Sequence, residues 1–290
     1  MVNLHTERIQ TIDLPVGAVR AFLELTKQFP TMQLRRRTVQ SALRSSILAT
    51  LGELLGQQVC NAVLDPDRGA VMLRSNLTIA DVDSETVGRL VCGLATLFGT
   101  PYSHWNRGSA IFRNQLNAKT PADRTLRRAN WPDPLHTDTM NSQGQGEDYC
   151  VFGCVRRDHC KGGESQLLHV DDWPNRKRHL DSPFAWENHT MVLGDTALEG
   201  QSMRRPIFTK RDDRIEMCWS PRNIRANSRE NQKWLDQVRD SLAATPRTFQ
   251  RTLYPGEILI FDNKRWLHGR SPIESNAKLD RLLLASHVDG

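Results

Sequence analysis

The sequence predicts a mainly β protein with flanking helices, an α+β chain built on a β-sandwich core, and three observations carry that prediction. Helical periodicity fills the stretch before residue 100, short mixed runs broken by Gly, Pro, Asn and Asp fill the stretch after it, and one late amphipathic segment interrupts those runs. A length of 290 residues allows one elaborated domain or two small ones. We expect one domain over 1–290, with a helix-rich part at 1–100 packed on a core at 101–290 that carries a helical insert near 228–244. With 38% hydrophobic and 25% charged residues the chain can bury such a core, which excludes intrinsic disorder.

Each element follows from its local pattern. From 15 to about 58 apolar residues recur at helical spacing, Val19, Phe22 and Leu23 and then Leu43, Ile47, Leu51, Leu54 and Leu55, with Pro30 as a break. The run 68–74 (RGAVMLR) reads as a buried strand entered through a Pro-Asp turn. A further helix is expected with Ser84 as its cap and Glu85 in its first turn, burying Val87, Leu90, Val91, Leu94, Ala95 and Leu97 and ending at Gly99. Strands are expected at 109–113, 149–155, 165–170, 214–219, 258–261 and 281–287. Ser228 caps the late helix, whose Trp234, Leu235, Val238 and Leu242 share one face, and Pro246 lies beyond its end.

The charge balance, 39 Lys and Arg against 33 Asp and Glu for a net +6, suits an anionic partner. The basic residues are dispersed in short knots without a Lys/Arg tail, so a small anion is expected and a nucleic acid is not. Six cysteines, a polar start and no leading apolar segment point to a cytoplasmic protein, and no apolar run approaches membrane-spanning length. Cys150, Cys154 and Cys160 with His159 lack the paired spacing of a zinc site and read as buried thiols.

The residues that carry chemistry lie far apart. In DPLHTDTMN, His136 and Asp138 are two apart, a spacing that puts both side chains on one face of an extended segment. Alone this pair reads equally well as a turn. In ILIFDNKRWLHGR at 258–270, a strand and a polar turn lead to His268, and Arg281 opens the next apolar run. Two histidines and one carboxylate on one face of a metal leave the opposite positions open, an arrangement that selects non-haem Fe(II), and a nearby arginine offers a planar charged fork for a carboxylate.

PLHTD, GGES at 162–165, FDNKRWLHGR and the RLLLASHV strand, taken together with GAVMLR and LATLFGTPY, resemble the Fe(II)/2-oxoglutarate-dependent oxygenases of the taurine dioxygenase and clavaminate synthase group. The resemblance covers most of the chain. It implies a double-stranded β-helix, the cupin-like jelly roll, with His136, Asp138 and His268 as iron ligands and Arg281 on the distal carboxylate of 2-oxoglutarate. Ser165 stands where the group usually places a Thr that bonds the same carboxylate; a Ser hydroxyl keeps the donor. A second arginine found in some members four residues after the first is replaced here by Ala285, so its contacts are not transferred.

The activity implied is hydroxylation of an unactivated C–H bond, or desaturation or ring closure, with O2 consumed and 2-oxoglutarate converted to succinate and CO2. Asp138 itself favours hydroxylation, because halogenating relatives carry a small residue there. The expected substrate is a small amino-acid-like or carboxylate molecule of specialised metabolism, free or carrier-tethered. For its carboxylate the candidates are Arg222, Arg270 and Arg204 or Arg205, with Trp219 and Trp266 as an apolar wall. The stretch 139–148 is expected to form a lid. Two other readings use the same scaffold, a demethylase of nucleic acid or protein and a non-catalytic binding protein.

Overall fold

The computed structural model describes residues 8–102, 109–117, 131–138, 148–192, 202–274 and 276–289. The chain opens with β1 (Gln10–Asp13), α1 (Val16–Thr26), α2 (Arg37–Leu51), α3 (Glu53–Leu64), β2 (Ala70–Arg74) and α4 (Ser84–Ala95). Next come β3 (Thr100–Tyr102), β4 (Phe112–Asn117), β5 (Asp133–His136), β6 (Tyr149–Asp158), β7 (Ser165–His169), α5 (Arg176–Leu180) and β8 (His189–Val192). The last third holds β9 (Ser202–Arg205), β10 (Phe208–Arg211), β11 (Arg214–Met217), β12 (Ile224–Arg225), α6 (Arg229–Ala244), β13 (Phe249–Arg251), β14 (Glu257–Asp262), β15 (Trp266–Arg270) and β16 (Asp280–Asp289).

Two sheets face one another, as the jelly-roll expectation requires. The larger runs β1-β2-β14-β6-β16-β3, with β4 also paired to β16, and the smaller runs β13-β7-β15-β5. Strand alternation sorts the side chains into layers. On the large sheet Val71, Leu73, Val151, Val155, Ile258, Ile260, Leu282, Leu284 and Val288 face the N-terminal helices. Their alternates Met72, Cys150, Cys154, Leu259, Phe261 and Leu283 meet Leu167 and Trp266 of the small sheet in the interior. Behind the small sheet, Leu135, Leu168 and Leu267 pack against Trp173, Trp219, Trp234, Leu235 and Val238. No single helix among the described residues is long and apolar enough to cross a membrane.

Several boundaries differ from the sequence expectation. Gly52, at φ 78°, turns the chain between α2 and α3, so one long helical run becomes two helices. The cap of α4 is Asp83 rather than Ser84: its carboxylate accepts from Thr86 N, and Ser84 is the first helical residue. Ser228 caps α6 as expected, accepting from Asn231 N at 3.0 Å.

Candidate metal centre

β5 and β15 run antiparallel with His136 and His268 as direct Cα partners, and their ring centroids lie 4.2 Å apart. Both side chains point into the sandwich, because their neighbours Leu135 and Leu267 point the other way into the core behind the small sheet. His136 Nδ1 lies 2.8 Å from Pro134 O. A carbonyl only accepts, so Nδ1 carries the proton and Nε2 keeps its lone pair. That Nε2 is 3.6 Å from Asp138 Oδ1, and His268 Nε2 is 3.5 Å from Asp138 Oδ2. The three donor atoms fall within 4.8 Å of one another.

Asp138 lies two residues beyond the end of β5, where no ladder fixes it. Asn263, in the turn between β14 and β15, supplies the hold: its Oδ1 accepts from Asp138 N at 2.9 Å and its Nδ2 donates to Asp138 O at 2.6 Å. Thr137 is fixed by Trp219, its N–H donating to Trp219 O at 2.8 Å and its hydroxyl accepting from Trp219 N at 2.9 Å. Asn263 was legible in the sequence only as part of a polar turn.

Burial would raise the Asp138 pKa, but the facing imidazoles of His268, His287 and His136 and a hydrogen bond from His287 hold it well below the usual carboxylate range. Burial first, and then repulsion from His136, pushes His268 down to about 4. The unfolded chain therefore binds more protons at this group between about pH 4 and 6.5, so its contribution to stability rises with pH across that window. Near neutrality the cluster offers one ionised carboxylate and a neutral imidazole at His268, the form that binds a divalent cation without releasing a proton. Two nitrogens and one oxygen converging from one side fit the non-haem Fe(II) facial arrangement. Phe152 and Phe261 flank His268 at ring separations of 5.4 and 5.2 Å and keep that side of the cluster dry.

Arg281, on the interior face of β16, is 3% exposed, and its Nη1 has no hydrogen-bond partner among the described residues. Burial, and then the charge of Arg270, lowers its pKa to about 10. A buried guanidinium with no acidic partner among the described residues is costly, so this corner suits an anion. Gly162 and Gly163 adopt positive φ, and a Cβ on Gly163 would stand 2.7 Å from Ile273 and 3.7 Å from Arg281 Nε. The GGES turn thus lies against Arg281 and delivers Ser165, 8% exposed, to the start of β7 as the Cα partner of Arg270.

The substrate candidates are scattered. Arg270 follows His268 by two on the same strand and donates to Ser271 O at 2.9 Å and Trp131 O at 3.2 Å. Arg222 is half-exposed and pairs with Asp133, the first residue of β5, at 2.9 Å. Arg204 is exposed and Arg205 half-buried on β9, in a separate three-stranded sheet with β8 and β12. Trp219 corrects the expectation of a pocket wall: it is 1% exposed in the core behind the small sheet, on the opposite side from His136 and His268. Trp266 is fully buried in the sandwich interior, its indole N–H bound to Arg68 O. The proposed lid at 139–148 lies, but for Asp148, outside the described residues. All six cysteines are free; Cys150 and Cys154 are buried as expected, whereas Cys160, in the turn after β6, is only partly buried.

The model of the CsiD family matches residues 2–287. Glutarate 2-hydroxylase of Citrobacter koseri is 22% identical over 287 residues, covering 97% of this chain and 87% of that protein. The Klebsiella pneumoniae glutarate 2-hydroxylase is 24% identical over the same shares. Among solved structures, asparagine oxygenase in complex with Fe(II), 2S,3S-3-hydroxyasparagine and succinate aligns at a TM-score of 0.74 and 16% identity, over 96% of this chain and 93% of that one. The non-haem iron oxygenase OrfP in complex with Fe and α-ketoglutaric acid aligns at 0.73 and 15% identity over the same shares. These likenesses carry the jelly-roll fold.

Proposed function

The chain belongs to the CsiD family, within the Fe(II)/2-oxoglutarate-dependent oxygenases, and from that premise we propose that it hydroxylates a short aliphatic dicarboxylate, with glutarate as the first candidate. It is a non-haem iron dioxygenase acting on a small molecule. In this reading His136, Asp138 and His268 hold Fe(II), while Arg281 and Ser165 hold the distal carboxylate of 2-oxoglutarate. Iron, 2-oxoglutarate and O2, when bound, supply the oxidising chemistry that turns C–H into C–OH with succinate and CO2 as co-products.

The observation that carries the reading is Arg281, buried and with its Nη1 unpartnered among the described residues, on the interior face that the His-Asp-His cluster also meets. The protein's own work is positional. Pro134 O sets the His136 tautomer, Asn263 aims Asp138, and Phe152 and Phe261 exclude water beside His268. A second dicarboxylate needs a second cation, and Arg270, near enough to Arg281 to depress its pKa, is the first choice, followed by Arg222. We place the whole chain, 1–290, as one oxygenase domain, and its free thiols accord with a cytoplasmic setting.

The test is succinate formation from 2-oxoglutarate with Fe(II), with and without glutarate, other C4 to C6 diacids, asparagine and arginine. Turnover stimulated by a diacid and lost in His136→Ala and Arg281→Ala is expected. Stimulation by an amino acid alone would reassign the substrate, and full turnover in both variants would end the reading.

A further inference from the structure

Asp138 Oδ2 has two further neighbours that the iron-binding role does not explain. His287 Nε2 lies 3.1 Å from it and Cys150 Sγ 3.6 Å. Both come from the opposite sheet. Cys150 on β6 and His287 on β16 are direct Cα partners, so their side chains leave the large sheet together toward the small one. His287 is 1% exposed and Cys150 fully buried. With Oδ2 they form a second group of donor atoms within 4.8 Å, but the His287 and Cys150 separations are those of hydrogen bonds, so the group reads as two donors on one acceptor rather than as a second ion.

We propose that His287, assisted by the Cys150 thiol, is a positioning residue for the iron-binding carboxylate, engaging Asp138 Oδ2 so that the carboxylate meets the metal through one oxygen rather than two. The proposal rests on the assignment of His136, Asp138 and His268 as the iron ligands. An ionised carboxylate offers only acceptor lone pairs, so the shared proton belongs to His287 Nε2. A carboxylate with both oxygens open can chelate a metal through two atoms and take a position that substrate or O2 needs; two donors on Oδ2 remove that option. Arg281 and His287 share β16 and both face the interior, so one strand carries the co-substrate arginine at one end and the brace of the iron ligand at the other. Asn263 fixes the Asp138 backbone, whereas His287 fixes the side-chain rotation that the backbone leaves open.

The test is the anaerobic Fe(II) dissociation constant, read by competition with a chromophoric chelator, alongside the melting temperature of the metal-free protein. His287→Leu removes the donor, and His287→Gln keeps an N–H at similar reach. We expect His287→Leu to weaken Fe(II) binding on the order of 10- to 100-fold, His287→Gln to recover most of that loss, and Cys150→Ala to cost a smaller factor. If His287→Leu does not fold, His287→Asn, whose shorter amide falls short of Oδ2, takes its place against Gln. Wild-type iron affinity in the Leu or Asn variant, or equal losses in Gln and its partner that track the metal-free melting temperature, would overturn the proposal. Unchanged Fe(II) affinity in His136→Ala would instead sink the ligand assignment itself, a result separate from any His287 outcome.

Discussion

Asp138, just past β5, and Asp262, the last residue of β14, are carboxylates in the same sandwich, and their surroundings drive them in opposite directions. Three imidazoles keep Asp138 ionised, whereas burial raises Asp262 to about 6 despite the bond from Lys264 N to its Oδ1. For Asp262 the folded protein binds the proton more tightly than the unfolded chain, so between about pH 4 and 6 the unfolded state loses its proton first and stability falls as pH rises. The cost, on the order of 3 kcal/mol, is complete above the folded pKa. Asp262→Asn keeps an oxygen for Lys264 N and carries no charge. Its urea midpoint relative to wild type should therefore climb from pH 4 to 6 and then level off. A difference that stays flat across that window would mean that Asp262 ionises as freely in the fold as outside it. At this scale the chemistry-bearing residues were readable because they sit in short motifs, PLHTD, GGES and FDNKRWLHGR, that taken together resemble those of a known oxygenase group; the residues that aim them were not. Asn263 acts through a side-chain amide on a backbone more than a hundred positions away, and His287 acts across the sandwich, and neither leaves a local pattern.

At the scale of the element, β15 shows how little room the centre has. Gly269 sits between His268 and Arg270, and a Cβ there would stand 2.6 Å from Asp133 O and 3.3 Å from Leu135 N, both backbone atoms of β5. Relief requires β5 to move away from β15, which separates His136 from His268. Gly269→Ala should weaken Fe(II) binding at least tenfold while far-UV circular dichroism stays close to wild type; unaltered Fe(II) affinity would show that the strand pair yields elsewhere. β6 backs the whole centre from the other sheet. Its interior residues Cys150, Phe152 and Cys154 lie against Asp138, His268 and Arg281 in turn. On its opposite face a Cβ on Gly153 would meet Val91 at 2.6 Å and Val87 at 2.7 Å, so α4 packs closely on the strand. Gly153→Val should overpack that contact and cost ~1–3 kcal/mol in urea unfolding. Helices were readable from their apolar periodicity, and strands such as 149–155 and 281–287 from short mixed runs bounded by turn residues, but the ends were not. Asp83 outcompetes Ser84 as a cap, and β16 extends to Asp289 because β3 and β6 both pair with its last residues.

For the molecule as a whole, the order of the motifs along the chain carries the consequence. His136 comes from β5, Asp138 from the segment after it, His268 from β15, and their braces Asn263, Cys150 and His287 from the β14–β15 turn, β6 and β16. Two sheets must close on each other before one ion finds its three ligands. The unfolded chain has no such cluster, so the ion binds the folded state almost alone and its binding free energy adds to folding. At a free Fe(II) concentration about 100 times the dissociation constant the gain is ~2.7 kcal/mol, which for a chain of this size is a rise in melting temperature of roughly 4–5 °C. 2-Oxoglutarate should add a further rise on top of iron, because its carboxylate gives the buried Arg281 Nη1 the partner it has not found among the described residues. In Arg281→Leu the iron increment should persist and the 2-oxoglutarate increment should shrink, whereas His136→Ala should lose both. Anaerobic thermal scans of the three proteins with each addition separate these cases. An equal 2-oxoglutarate increment in Arg281→Leu and wild type would remove Arg281 from the co-substrate pocket, while an iron increment that survives His136→Ala would mean that the ion binds elsewhere in the sandwich.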